Sequence, residues 1–141
     1  MERLIEEARR ALREGRLEEL ARILAKLLSK LLERYASLTP PESNKVLAEI
    51  EEVLRRIGIL PEYVVVVGKK ALQVAGEKVA ALIPIGKGGL RRPEENKAFI
   101  LVTPRGSRIV APAEARKMLE LIFAYTPPPP PPSHRRLHAH A

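Results

Sequence analysis

The apolar residues of this chain change their spacing near residue 60, and this change constrains the fold more than any other feature. Before it, apolar residues recur every three to four positions, which is the period of an amphipathic helix. Beyond Pro61 the period becomes two, as in strands. Three helices are predicted first, over Glu2–Glu14, Leu17–Leu38 and the segment from Thr39-Pro40-Pro41-Glu42 to Ile57. The sequence therefore predicts an α+β fold whose N-terminal helices precede the strands.

The second half of the chain has the composition of a small antiparallel sheet. Five strands are predicted, over Tyr63–Val67, Ala71–Ala75, Lys78–Ile83, Ala98–Thr103 and Ser107–Ala111. The turns between them at Gly76-Glu77 and at residues 104–106 are too short for crossovers, so the strands form hairpins. Tyr63–Val67 is apolar on both faces, which favours a central place. With a C-terminal helix over Ala113–Tyr125, we expect a sheet of four to five strands closed by one helix.

The helix Leu17–Leu38 is rich in leucines near heptad spacing, and these cover more than one of its faces. One interpretation is that the helix packs on its own sheet and on the next helix. The other is that it also forms the interface of a homodimer or homotetramer. We expect self-association through residues 1–38.

The charge of the chain is concentrated in its C-terminal half. The net charge is +8, of which residues 1–60 contribute +1 (12 Lys/Arg against 11 Glu) and residues 61–141 contribute +7 (13 against 6). A positive field of this kind favours polyanions or anionic membrane surfaces. No apolar run approaches the roughly 20 residues that cross a membrane, and Met1 leads directly into a charged helix, so we expect a cytoplasmic protein with no membrane partner. The abundance of Glu and Arg with few thermolabile residues is typical of hyperthermophiles.

A glycine-rich basic segment, Ile85–Lys97, separates two apolar runs. It lacks the Gly-x-x-x-x-Gly-Lys-Ser/Thr pattern of a phosphate-binding P-loop. Gly86-Lys87-Gly88-Gly89 resembles the Gly-x-x-Gly loop of KH domains, but that loop joins two helices, whereas the flanks here have a strand pattern. The remaining interpretations are a surface hairpin connection whose charges keep the chain soluble, or a flexible loop that presents cations to a ligand.

Basic residues also occur in the other predicted turns. If these turns lie near one another, they form an electrostatic groove for a phosphate backbone. The candidate nucleic-acid-binding residues are Lys69, Lys70, Lys87, Arg91, Arg92, Lys97, Arg105 and Arg108. Tyr63 and Phe99 are candidates for base stacking, with core packing as the alternative for each.

Catalytic chemistry finds little support in this sequence. Cysteine and aspartate are absent, and His134, His138 and His140 all follow the six prolines Pro127–Pro132. Residues 127–141 are expected to form a polyproline spacer and a disordered basic tail, in which nothing orients the histidines. We therefore expect no catalytic residues, no cofactor and no metal site.

The order of the elements resembles the ThermoDBP-related group of archaeal single-stranded DNA-binding proteins. The segments that carry the resemblance are Leu17–Leu38, Tyr63–Val67 and Phe99–Val110, within about residues 17–125. The resemblance implies a helix-plus-sheet domain without an OB-fold, an oligomer, and single-stranded DNA or RNA held against basic and apolar surfaces.

Charge and resemblance together predict a non-catalytic protein that binds single-stranded nucleic acid with little sequence preference. Single-stranded DNA is the favoured ligand, and single-stranded RNA is the alternative ligand. Residues 39–126 would form the binding core. The alternative is a protein–protein adaptor or assembly subunit that uses the leucine-rich helix and the polyproline tail.

Overall fold

The computed structural model describes residues 1–60, 65–67 and 76–123, with the backbone alone at 65–67. The helices are α1 (Glu2–Glu14), α2 (Leu17–Ser37), α3 (Glu42–Ile57) and α4 (Pro112–Ile122). The strands are β1 (Val65–Val67), β2 (Ala80–Gly86), β3 (Asn96–Thr103) and β4 (Gly106–Val110), and a short 3-10 helix covers Pro93–Glu95. The predicted α+β class is confirmed, with an antiparallel sheet and N-terminal and C-terminal helices.

The strands follow the spatial order β1-β2-β3-β4, each antiparallel to its neighbour. In the described part of the chain β1 therefore lies at one end of the order, and β2 and β3 occupy the central places that the sequence predicted for Tyr63–Val67. The expected strand Ala71–Ala75 lies outside the described residues, so a sheet of up to five strands stays a prediction. The tail at 127–141 lies outside them as well.

Both faces of the sheet are covered, and each face has its own hydrophobic core. Alternate residues of β2 and β3, among them Ile83 and Ile100, pack against α1, α2 and α3. Residues one position along, among them Leu82 and Phe99, pack against α4. This two-sided burial follows from the strand pleat, which points successive side chains to opposite faces. It also explains why β2 and β3 are apolar at nearly every position.

The leucines of α2 are used largely within the chain. Leu20, Leu24, Leu27, Leu28 and Leu32 are all buried in the core that α2 shares with α1, α3 and the sheet. The interpretation that the helix packs on its own sheet is confirmed. Self-association stays a prediction, and it would use surfaces other than these buried leucines.

Two hydroxyl groups fix α2 along the hairpin of β3 and β4. The Ser29 hydroxyl donates to the Thr103 carbonyl oxygen at 2.8 Å, and the Ser107 hydroxyl donates to the Ala21 carbonyl oxygen at 2.6 Å. At the other side of the helical layer, Arg56 of α3 donates a hydrogen bond to Glu2 of α1 and so lowers the pKa of that carboxyl. Across the described ranges, no helix is both long and apolar enough to span a membrane.

Candidate functional site

The connection from β2 to β3 is built around the side chain of Asn96, which is 6% exposed. Its Nδ2 group donates to the carbonyl oxygens of Gly89 at 2.9 Å, Pro93 at 3.2 Å and Arg92 at 3.4 Å. Its Oδ1 atom accepts from the Gly89 N–H at 3.2 Å. One buried amide therefore ties together three parts of the connection.

Two glycines let the backbone approach itself closely in this connection. Gly86 has a φ of 147°, and a Cβ atom there would lie 2.8 Å from the Cα of Asn96. A Cβ on Gly88 would lie 2.1 Å from the Arg92 carbonyl oxygen. The segment joins two strands and not two helices, which excludes a KH arrangement. Buried hydrogen bonds and close backbone contacts therefore anchor a loop that the sequence predicted to be flexible.

The cations of this connection are exposed, whereas its apolar residues are buried. Leu90 packs in the core under α4, and Pro93 is also buried. Lys97 is the extra residue of a β-bulge, since Ile85 pairs with Ala98 and Gly86 with Asn96. Lys87, Arg91, Arg92 and Lys97 are all exposed, and we refer to these four residues as the basic loop. The structure thus brings together half of the predicted nucleic-acid-binding residues.

Acidic residues moderate the charge at the basic loop. Arg92 Nε lies 3.4 Å from Glu95 Oε2, and Glu94 pairs with Arg116 of α4. These pairs are solvent-exposed, so each holds its partners weakly and leaves the cations free to exchange. Lys87 and Lys97 form no ion pair within the described part of the chain. The loop keeps a net positive surface.

The remaining predicted contacts do not continue the basic loop into one track. Arg105 lies in the β3–β4 turn, where it pairs with Glu77, and Arg108 of β4 lies 3.0 Å from Glu114. Because β3 spans eight residues, its two ends are about 24 Å apart at about 3.4 Å per residue. The β3–β4 turn is therefore at the opposite end of the sheet from the basic loop. Lys69, Lys70 and Tyr63 lie outside the described residues.

Phe99 cannot stack on a base. Its side chain is 0% exposed and packs in the core under α4. The prediction that it contacts bases is wrong, and the alternative of core packing is confirmed. The alternation of side chains along the strand does not specify whether the face with Phe99 is exposed to solvent. That face is buried because α4 covers it. Phe123 packs against the same core, half-buried in a depression that Arg91 and Arg116 also line.

Three further cations escaped the sequence reasoning. Arg22, Lys26 and Lys30 are exposed on α2, and Arg22 lines a depression that α2 shares with β4. Their spacing of four residues can be read from the sequence. However, the nearly balanced charge of residues 1–60 gave no indication that these cations form a separate row. That balance arises from glutamates that include Glu18, four residues before Arg22, and from those that pair with arginines such as Arg3, Arg34 and Arg55.

Substituting Asn96 with alanine should destabilise the basic loop. The change leaves the buried carbonyl oxygens of Gly89 and Pro93 without their donor, which costs about 1–3 kcal/mol for each unsatisfied group. We expect a lower midpoint of chemical denaturation and faster proteolysis between β2 and β3. The exposed Asn44 of α3 provides the matched control, and Asn44→Ala should leave both measurements close to wild type. An unchanged midpoint for Asn96→Ala would contradict the role assigned to this amide.

Within residues 1–60 and 76–123, no group of three or more His, Cys, Asp or Glu side chains is placed to hold a metal ion. The three histidines lie outside the described residues. Comparison with known proteins finds no matching family model, and neither the curated proteins nor the solved structures include a significant match.

Proposed function

We propose that this chain binds single-stranded nucleic acid through the basic loop, without catalysis and with little sequence preference. The observation that supports the proposal is a loop backbone fixed by Asn96 beneath four outward-facing cations. A preorganised cation set binds a polyanion with less loss of conformational entropy than a mobile one. The side-chain cations then displace the counterions condensed on the nucleic acid, and the release of these counterions supplies most of the affinity.

Weak sequence preference follows from the placement of the aromatic rings. Phe99 is buried, and Phe123 borders the basic loop with only part of its ring exposed. A base that stacks on Phe123 would also contact Leu90 and Leu119, in a depression whose lining includes Arg91, Glu94, Arg116 and Glu120. Every base has a face that can stack in this way, so the contact adds affinity more than selectivity. The resemblance to the ThermoDBP-related group in element order is consistent with this proposal.

The proposal is tested by titrating a labelled oligo(dT) of about 15 nucleotides with the full chain at several salt concentrations. If the four cations contact phosphates, the logarithm of the association constant should fall with the logarithm of salt, by about 0.7 for each contact. Matched single-stranded RNA and duplex DNA distinguish the ligand classes, and duplex should bind more weakly. Binding that does not respond to salt would contradict the electrostatic account.

A further inference from the structure

A second basic surface lies between α2 and the strand at the end of the sheet order. We refer to it as the α2–β4 groove. Its lining residues are Glu18, Ala21, Arg22, Ala25 and Gly106–Ile109. The hydrogen bond from Ser107 to Ala21 joins its two walls, and the bond from Ser29 to Thr103 ties α2 to the neighbouring strand β3. The groove is therefore a fixed feature of the fold, and it extends along β4 from the β3–β4 turn, which is at the end of the sheet opposite the basic loop.

The charge of this groove differs from that of the surrounding helical surface. Arg22, Lys26 and Lys30 follow one another at intervals of four residues, so they point to the same side of α2 about 6 Å apart along its axis. None of the three forms an ion pair in the described ranges of the chain. Elsewhere within residues 1–57, six arginines pair with glutamates: Arg3, Arg9, Arg16, Arg34, Arg55 and Arg56. A row of unpaired cations is suited to an anionic chain.

The floor of the groove suits a ligand that is partly apolar. Ala21, Ala25 and Ser107 are small, and the side chain of Ile109 is 36% exposed. In the described part of the sheet no strand lies beyond β4. A second copy of this chain is a poor occupant, because symmetric pairing at β4 would bring two rows of cations together. A single strand of nucleic acid has both the phosphates that the row of cations attracts and the bases that an apolar floor accepts.

We propose that the α2–β4 groove is a second contact surface for the same single strand that binds the basic loop. This inference rests on the proposed function. The end of the groove at Gly106 is separated from the basic loop by about the length of β3, so a strand stacked at about 3.4 Å per nucleotide needs about seven nucleotides to span that distance. Occupying both surfaces at once makes the second contact intramolecular and raises the overall affinity.

The test is the triple substitution Arg22→Gln, Lys26→Gln and Lys30→Gln, with affinity for an oligo(dT) of about 15 nucleotides measured by fluorescence anisotropy. Three lost phosphate contacts should lower the salt slope by about 2, and the affinity by up to about 100-fold near 0.1 M salt. Glutamine favours helices as lysine does, so the variant should keep the wild-type circular dichroism spectrum and melting temperature. The variant Arg22→Lys, Lys26→Arg and Lys30→Arg keeps the charge at all three positions and should bind like wild type.

A charge-matched control separates local contact from net charge. Arg10→Gln, Arg13→Gln and Lys45→Gln remove the same charge from exposed positions of α1 and α3. Their effect should be below about threefold, because salt screens charges that are distant from the ligand. If this control weakens binding as much as the α2 variant does, the groove is not a contact surface.

The remaining outcomes separate failure of the proposed function from failure of the α2–β4 groove as a contact surface. If wild type does not bind the oligonucleotide, the proposed function and this inference both fail. If wild type binds and the basic loop contributes, but the α2 variant binds normally, the groove alone is overturned.

Extending the oligonucleotide from about 5 to about 15 nucleotides should raise affinity more for wild type than for the α2 variant. An equal rise would overturn the claim that one strand reaches both surfaces. Displacement of the oligonucleotide by poly-L-glutamate at equal charge would overturn the assignment to nucleic acid in favour of an acidic polypeptide.

Discussion

The substitution Phe99→Ala should lower the free energy of unfolding by about 3–5 kcal/mol. Phe99 is fully buried in the core between the sheet and α4, where it packs with Leu82, Leu101 and Met118. Removing the ring loses its transfer free energy and leaves a cavity that these neighbours cannot fill completely. Denaturation with guanidinium, followed by circular dichroism, measures the change. Phe99→Leu keeps most of the volume and should cost much less than the alanine variant.

A comparison with Phe123 separates the structural role from the binding role. Phe123 is only partly buried, so Phe123→Ala should destabilise the fold less than Phe99→Ala. If a base stacks on its ring, the affinity for oligo(dT) should fall by a factor that corresponds to about 1–3 kcal/mol. Phe99→Leu should leave the affinity unchanged. A stable Phe99→Leu variant with greatly weakened binding would contradict the burial of this residue.

Neutralising the basic loop should have the largest effect on ligand binding. We expect the fourfold variant with glutamine at positions 87, 91, 92 and 97 to bind oligo(dT) about 10²–10³-fold more weakly near 0.1 M salt. Each lost phosphate contact removes about 0.7 from the slope of log affinity against log salt, so the slope should fall by about 3. Fluorescence anisotropy titrations at four or more salt concentrations give both quantities.

The fold should be unaffected by this variant, because its four side chains are exposed while the Asn96 amide and Leu90 stay in place. Replacing Arg3, Arg10, Arg13 and Lys45 with glutamine removes the same charge from α1 and α3 and serves as the control. If the basic-loop variant and the control variant weaken binding to the same extent, the affinity depends on net charge alone. The basic loop would then have no specific role.

The helices were predictable because their determinants are local. The apolar period and Gly15 predicted α1 at its observed bounds, and Gly58 ends α3 as expected. The four described strands were each predictable as elements, but β2 continues past its expected end through Pro84 to Gly86. Proline is tolerated there although Pro84 pairs with Phe99 inside the sheet. The position of β1 in the strand order depends on long-range pairing, which local alternation does not specify.

The candidate site was predictable only in part, for reasons of geometry. Net charge and the glycines pointed to the segment between β2 and β3, and its four cations are indeed exposed. The role of Asn96 could not be inferred, because its partners become neighbours only when the chain folds back on itself. The separation of Arg105 from the basic loop follows from the strand register, and the row on α2 meets β4 only in three dimensions.

The covering of the second sheet face by α4 has a consequence for synthesis on the ribosome. Helices α1 to α3 leave the ribosome first, so the opposite face of the sheet can be covered as soon as the strands emerge. The face with Phe99 and Leu101 must wait for Pro112–Ile122, the last described helix. Until then the nascent chain exposes a continuous apolar surface, and such a surface favours association. A premature stop after residue 111 would make that exposure permanent.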